Sequence, residues 1–127
     1  MWNHETVIEH LRKLISEKAK IEKKSGIEHY YPDIFCKIDG KKVVFEIETY
    51  ANPSKIVQAI TFSYAMGANE LVIIFSNKHG RGKTRQARTE SMKRILCKHF
   101  PQLCSLKVLT FYVDCLNDLD EIIKTIL

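Results

Sequence analysis

The dipeptide Asp39-Gly40 separates two segments that are rich in Val, Ile, Phe and Tyr, namely Asp33–Ile38 and Lys41–Tyr50. Asp-Gly between two such segments is the strongest short-range signal for a β-hairpin with a two-residue turn. A two-residue turn also determines which residues face each other across the hairpin, starting with Ile38 opposite Lys41. The sequence therefore predicts a hairpin with a defined register.

In this register three carboxylates come together. Asp33 lies directly opposite Glu46, with Cβ atoms roughly 4.5 to 5.5 Å apart. Glu48 points to the same face as Glu46 because side chains alternate along a strand. Like charges opposite each other destabilise a sheet, so the arrangement predicts a bound divalent cation. Oxygen ligands alone suit Mg²⁺, Mn²⁺ or Ca²⁺, and phosphoryl-transfer sites often hold Mg²⁺ with one or two carboxylates.

Two alternatives stay open at this stage. Glu46 and Glu48 also fit the solvent-exposed face of an antiparallel strand whose other face is core, formed by Val43, Phe45 and Ile47. A three-residue loop would shift the register by one position and separate the carboxylates.

Tyr31-Pro32-Asp33 followed by Glu46-Ile47-Glu48 resembles the motif of the PD-(D/E)XK nuclease superfamily. This is the metal-dependent fold of many restriction enzymes, archaeal Holliday-junction resolvases and recombination nucleases. Pro32-Asp33 matches the PD and Glu46 the (D/E), whereas Glu48 stands where the family usually has lysine. The chain thus resembles the minority Glu-x-Glu variant, known among active restriction enzymes, although relatives that no longer cleave have also lost the lysine.

The resemblance covers most of the chain and implies a restriction-endonuclease-like α/β fold, a three-layer sandwich with a central mixed β-sheet flanked by helices. It implies a divalent-metal-dependent endonuclease acting on DNA, and commonly a homodimer. The expected metal ligands are Asp33, Glu46, Glu48 and, from the first helix, Glu5. Lys55 is expected to supply the missing positive charge, and Gln58 matches a glutamine that related nucleases place beside the metal. The alternative is a catalytically inactive DNA-binding module of the same fold.

The basic residues are concentrated in one segment. Between Lys78 and Lys98 there are eight Lys and Arg residues against Glu90 alone, a net charge of +7, although the whole chain carries only +5. Lys and Arg neutralise phosphates and release counterions, so this segment is suited to a polyanion. The predicted DNA-contacting residues are Lys78, Arg81, Lys83, Arg85 and Arg88. An ordinary solvated basic helix is the other interpretation.

Part of this segment also resembles a phosphate-binding P-loop. Residues 77–84 read NKHGRGKT and follow an apolar strand, but Asn77 replaces the first glycine of that motif. A second apolar strand, ending in Asp114, resembles the magnesium-binding strand of an ATPase. Nucleotide binding is therefore a further alternative, which the small size of the chain disfavours.

Hydrophobic periodicity and capping signals predict the remaining elements. Helices are expected over His4 to about Lys24, Asn52 to about Met66, and Lys83 to His99, with a short terminal helix capped by Asn117. Strands are expected near Ile27–Tyr31, at Glu70–Phe75 and at Lys107–Val113. The apolar end of the last helix, at Ile122, Ile123, Ile126 and Leu127, fits either core or a dimer interface.

Length and composition set the outer limits. A chain of 127 residues with 45% hydrophobic content predicts one domain, residues 1–127, with a substantial core. The lack of a long apolar stretch or a signal-peptide pattern predicts an intracellular, cytoplasmic protein with no membrane partner. The four cysteines show no paired spacing, and a disulfide is expected only if the source is a hyperthermophile. Cys97, His99 and Cys104 form only an incomplete zinc-ligand set.

Overall fold

A computed structural model of the protein describes residues 2–22 and 30–126. In these ranges the chain is an α/β structure in which four α-helices surround a five-stranded mixed sheet. The helices are α1 (His4–Ser16), α2 (Pro53–Ala65), α3 (Gly82–His99) and α4 (Asn117–Ile126). The strands are β1 (Lys20–Ile21), β2 (Ile34–Ile38), β3 (Lys41–Glu48), β4 (Glu70–Ser76) and β5 (Lys107–Val113).

The hairpin between β2 and β3 has the predicted register, with Ile38 paired to Lys41. Asp39 and Gly40 have φ angles of 49° and 81°, the left-handed values that a type I′ turn requires at both central positions. The three-residue loop that would have shifted the register is therefore not formed. Ile34, the first residue of β2, pairs with Phe45. Asp33, the residue before it, therefore lies across from Glu46.

The strands follow each other across the sheet in sequence order. β1, β2 and β3 are antiparallel neighbours, whereas β3, β4 and β5 run parallel to one another. Parallel neighbours need a crossover, which α2 and α3 provide. β4 is buried along its whole length, as its continuous apolar run predicted. The carboxyl ends of β3, β4 and β5 therefore lie along one edge of the sheet.

Two apolar clusters, one on each face of the sheet, form the core. The first joins α1 and α4 to the face that carries Phe45 and Ile47. The second joins α2 and the residues after α3 to the opposite face, which carries Val44. Because side chains alternate along β3, Glu46 and Glu48 point toward the α2 face. Glu46 is only 8% exposed there, so the alternative of a solvated acidic strand face is wrong for this residue.

Two predictions for the first part of the chain need correction or fall outside the described ranges. The first helix ends at Ser16 and not near Lys24, because the following residues Lys20–Ile21 pair with β2 and Ile21 packs against the core. Helical periodicity could not exclude that pairing, which depends on a partner strand later in the chain. The strand expected near Ile27–Tyr31 lies mostly outside the described residues, which resume at Tyr30.

The structure joins Cys97 to Cys104 in a disulfide, which the sequence predicted only for a hyperthermophilic source. Cys97 lies in the last turn of α3, and a short 3₁₀ turn at Pro101–Ser105 then reverses the chain. The reversal brings the two Cα atoms to 5.2 Å, within the range that a disulfide spans. The incomplete zinc-ligand set is thereby removed, because both cysteines are bonded to each other.

Most of the apolar end of α4 belongs to the core. Leu119, Ile122 and Ile123 are buried in the cluster formed with α1, and Ile126 packs against it, while Leu127 lies beyond the described residues. A homodimer interface therefore finds no open apolar face at Ile122 and Ile123. Across residues 2–22 and 30–126, no helix has the length and apolarity that crossing a membrane requires.

Candidate functional site

A cavity of about 240 Å³ lies where β2 begins, where β3 ends and where α2 passes over them. Eight residues line it: His4, Tyr30, Tyr31, Asp33, Glu46, Glu48, Lys55 and Gln58. All five residues predicted as catalytic are in this set. Glu5, the fourth predicted metal ligand, is not, and its side chain is 87% exposed beside the cavity.

Local structure explains how the cavity residues are placed. The hairpin register brings Asp33 to Glu46, and strand alternation places Glu48 on the same side. α2 starts at Pro53, with the Asn52 side chain as its cap: Oδ1 accepts hydrogen bonds from the backbone N–H groups of Ser54 and Lys55. The first turns of α2 then carry Lys55 and Gln58 over the carboxylates.

Asp33 and Glu46 are held by a reciprocal pair of hydrogen bonds. The backbone N–H of Asp33 donates to Oε1 of Glu46 at 2.8 Å, and the backbone N–H of Ile47 donates to Oδ2 of Asp33, also at 2.8 Å. Arg12 of α1 donates from Nη2 to the carbonyl of Asp33 at 3.0 Å. One oxygen of each carboxylate is therefore fixed by backbone.

The carboxylates are poorly solvated. Burial, followed by the charge of Asp33, raises the pKa of Glu46 to about 8, although the Asp33 N–H partly opposes this. Burial also raises the pKa of Asp33 and that of Glu48, and the nearby Lys55 charge partly opposes the latter. Desolvation and mutual repulsion both disfavour the charged forms, and a cation would relieve both.

Lys55 and Gln58 lie on the open side of the cavity. The Nζ atom of Lys55 is 4.0 Å from Oε2 of Glu48, and the Lys55 side chain is 63% exposed. Gln58 is exposed one helical turn later and lines the same cavity. Both side chains are therefore accessible from solvent.

Sequence reasoning gave no site role to three cavity residues: Tyr31, which belongs to the motif, and His4 and Tyr30, which it did not consider. The Nε2 atom of His4 lies 2.8 Å from the carbonyl oxygen of Ile47 and 3.7 Å from Oδ2 of Asp33. Because a carbonyl can only accept, Nε2 carries the proton. No local pattern indicated this contact, which joins residues 43 positions apart.

Tyr30 is buried beside Glu46, and its ring stacks on Phe62 of α2 at 5.4 Å between centroids. Burial is the largest cause that raises the pKa of Tyr30, followed by the charge of Glu46. Its hydroxyl and that of Ser63 have no hydrogen-bond partner among the described residues. The position of Tyr30 directly before Tyr31-Pro32-Asp33 was the one available signal.

Within the described residues, no group of three or more His, Cys, Asp or Glu side chains is already arranged to hold a metal ion. Two of the relevant oxygens, one from Asp33 and one from Glu46, are directed at backbone N–H groups instead. The second oxygens of these carboxylates and the Glu48 carboxylate are the remaining donors. The chemistry of this donor set, oxygen only and partly buried, still fits a hard divalent cation.

The basic segment divides into exposed and buried members. Lys78, Arg81, Lys83 and Arg88 are exposed, whereas Arg85 is only 6% exposed. The guanidinium of Arg85 donates to the carbonyl of Ser76 and lies 5.0 Å from the ring centroid of Tyr50. Four of the five predicted DNA-contacting residues are thus at the surface, whereas the guanidinium of Arg85 is used within the fold.

The loop that resembles a P-loop uses its backbone donors internally. The N–H groups of Gly80 and Gly82 donate to the main-chain and side-chain oxygens of Asn77, and that of Lys78 donates to Oγ of Ser76. A phosphate cradle needs such N–H groups to be open. Gly82 also has a packing role, because a Cβ at this position would overlap the ring of Tyr112.

Comparison with known proteins finds no match for this chain among protein-family models, curated proteins or solved structures.

Proposed function

We propose that this protein is a divalent-metal-dependent nuclease that hydrolyses DNA phosphodiester bonds on a restriction-endonuclease-like fold. The observation that carries the proposal is the single cavity lined by Asp33, Glu46, Glu48, Lys55 and Gln58. The order of elements supports the proposal as well. From α1 to β4 the chain forms a helix, three strands, a helix and a strand, which is the order expected from the resemblance.

The donor set supports Mg²⁺ or Mn²⁺ as the cofactor. Asp33, Glu46 and Glu48 would hold the metal through carboxylate oxygens. Burial raises the pKa of each carboxylate, and a bound cation would stabilise the charged forms that burial disfavours. When bound, the metal would polarise the phosphate and lower the pKa of water. Glu5 is too exposed to be more than a peripheral acid in this scheme.

The other cavity residues have complementary roles. Glu48, besides serving as a ligand, would orient the attacking water and accept its proton. Lys55, 4.0 Å from Glu48, provides the positive charge that the family usually draws from the lysine of its motif. Gln58 can donate a hydrogen bond to a phosphate oxygen or to the water. The exposed basic residues of the 78–88 segment would bind the DNA backbone beyond the reacting phosphate.

Cleavage of labelled DNA structures in Mg²⁺, in Mn²⁺ and in EDTA tests the proposal. The wild type should cleave only with metal, and Asp33→Asn and Glu46→Gln should each lose cleavage, because each loses a metal-binding charge while keeping its size. Glu9→Gln, an exposed acid on α1, is the matched control and should cleave normally. Cleavage that survives in both variants would move the active site elsewhere.

A non-catalytic DNA-binding module is the second candidate. It is favoured by the absence, over the ranges the structure describes, of a metal-ligand group that is already arranged. It also fits the presence of Glu48 in place of the family lysine. Wild-type protein that binds these DNAs but cleaves none of them with any divalent metal would establish this alternative.

A further inference from the structure

A second cavity, of about 390 Å³, lies between the end of β3 and the first turns of α3. It is lined by Tyr50, Ala51, His79, Arg81, Thr84, Arg85 and Arg88, a set with three arginines and no acidic residue. Tyr50 comes two residues after Glu48, so their Cα atoms are at most about 7 Å apart. A strand of nucleic acid advances roughly 3.4 Å per nucleotide in a duplex, so this distance corresponds to about one or two nucleotides.

The ring of Tyr50 packs against a cationic side chain and is otherwise exposed to solvent. Its ring is flanked by the Arg85 guanidinium, 5.0 Å from the ring centroid, and that guanidinium is itself fixed by the carbonyl of Ser76. The rest of the residue is open, with 53% exposure. Exposed aromatic rings beside cationic side chains are the surfaces on which proteins stack the bases of single-stranded nucleic acid.

The cationic rim of this cavity comes from the start of α3 and from Arg81, the residue directly before it. Arg81, Arg85 and Arg88 are spaced by four and three residues, which places them on one side of the helix start. Arg81 and Arg88 are exposed, unlike Arg85, and are free to contact a ligand. Arginine binds phosphate oxygens through two parallel hydrogen bonds, so these two side chains suit the backbone of a strand whose base lies on Tyr50.

We propose that this cavity binds one unpaired nucleotide of the substrate, with its base stacked on Tyr50 and its phosphate held by Arg81 and Arg88. The inference rests on the proposed nuclease function, because the same strand would continue into the carboxylate cavity. Bases inside an intact duplex cannot reach Tyr50 unless they are flipped out. The enzyme therefore prefers DNA with an unpaired nucleotide next to the cleaved bond.

Fluorescence anisotropy in EDTA tests this separately from catalysis, with labelled oligo-dT and a blunt duplex of equal length as probes. Tyr50→Leu should weaken oligo-dT binding by roughly 5- to 150-fold, the range for loss of one stacked base, and leave duplex binding nearly unchanged. Tyr50→Trp should bind oligo-dT at least as tightly as wild type. Tyr64→Leu, which removes another exposed tyrosine on α2, should change neither affinity.

Arg88→Ala provides a test that does not disturb the Tyr50 ring. It should weaken oligo-dT binding and reduce the slope of log affinity against log salt by about 0.7, the value for one lost phosphate contact on a single strand. Three results would overturn the inference. Tyr50→Leu could bind oligo-dT as tightly as wild type, or it could lose as much affinity for the duplex as for oligo-dT. Arg88→Ala could also leave the salt slope of oligo-dT binding unchanged.

Cleavage assays with Mg²⁺ and Mn²⁺ distinguish failure of the inference from failure of the proposed function. If the wild type cleaves DNA and Tyr50→Leu behaves like wild type on every probe, the inference is wrong and the proposed nuclease function stands. If the wild type never cleaves, the proposed nuclease function is wrong, and so is the preference for an unpaired nucleotide next to the cleaved bond. This holds even if binding to oligo-dT depends on Tyr50.

Discussion

Glu46 should make the metal-free protein less stable as pH rises, and Glu46→Gln should remove this effect. In the folded protein burial and the Asp33 charge raise the pKa of Glu46 to about 8, from an ordinary value of 4.5. Between these two pH values the folded protein keeps a proton that the unfolded chain has lost. The free energy of unfolding therefore falls as pH increases, by at most about 1.4 kcal/mol per pH unit.

Over the whole interval the loss amounts to about 3 to 5 kcal/mol, because Glu46 is almost fully buried and little screened by solvent. Asp33 and Glu48 act in the same direction, since burial also raises their pKa values. Glu46→Gln keeps an oxygen that accepts the Asp33 N–H and carries no charge at any pH. The variant should thus melt roughly 10 to 20 °C above wild type at pH 8.5 and close to it at pH 5.

The assay is thermal or urea unfolding in EDTA from pH 5 to 8.5. Higher pH is avoided because burial raises the pKa of the Cys36 thiol to about 12, which adds a second pH-dependent loss. Glu70→Gln is the matched control: Glu70 is equally buried at 8% exposure but is paired with Lys41 at 3.4 Å, so its removal should leave the pH dependence in place. Parallel stability curves for wild type and Glu46→Gln would refute the reasoning.

Three further outcomes are expected. Glu48→Gln should lower turnover while DNA affinity in Ca²⁺, a non-catalytic substitute ion, stays unchanged or improves through reduced repulsion of phosphate; normal cleavage would make Glu48 a bystander. Arg88→Ala should weaken duplex DNA binding and reduce its salt slope by about 0.9 without a change in melting temperature. Arg85→Ala should lower the melting temperature, because it removes a buried hydrogen-bonded cation. Identical melting temperatures for the two variants would contradict this difference. Gly82→Ala should cost about 1 to 3 kcal/mol of stability, because the new methyl group overlaps Tyr112, and urea unfolding would show it; a variant as stable as wild type would mean that the ring moves aside without cost.

The sequence by itself determined the features that depend on near neighbours. Asp39-Gly40 specified the turn, and the turn specified which residues of the two strands face each other. Asn52 and Pro53 marked the start of α2, and the apolar run from Glu70 identified the central strand. These signals are local because turn geometry, capping and periodicity involve residues a few positions apart.

Tertiary structure decided what depends on distant partners. His4 meets the end of β3 only because α1 packs on the sheet, and Arg85 is buried only because Ser76 and Tyr50 come to lie around it. The same charge pattern on α3 would fit a fully exposed helix, so no periodicity could separate Arg85 from Arg88. The burial of Glu46 likewise required α2 to cover that face of the sheet, since desolvation of a side chain is produced by neighbours that the chain supplies only after it has folded.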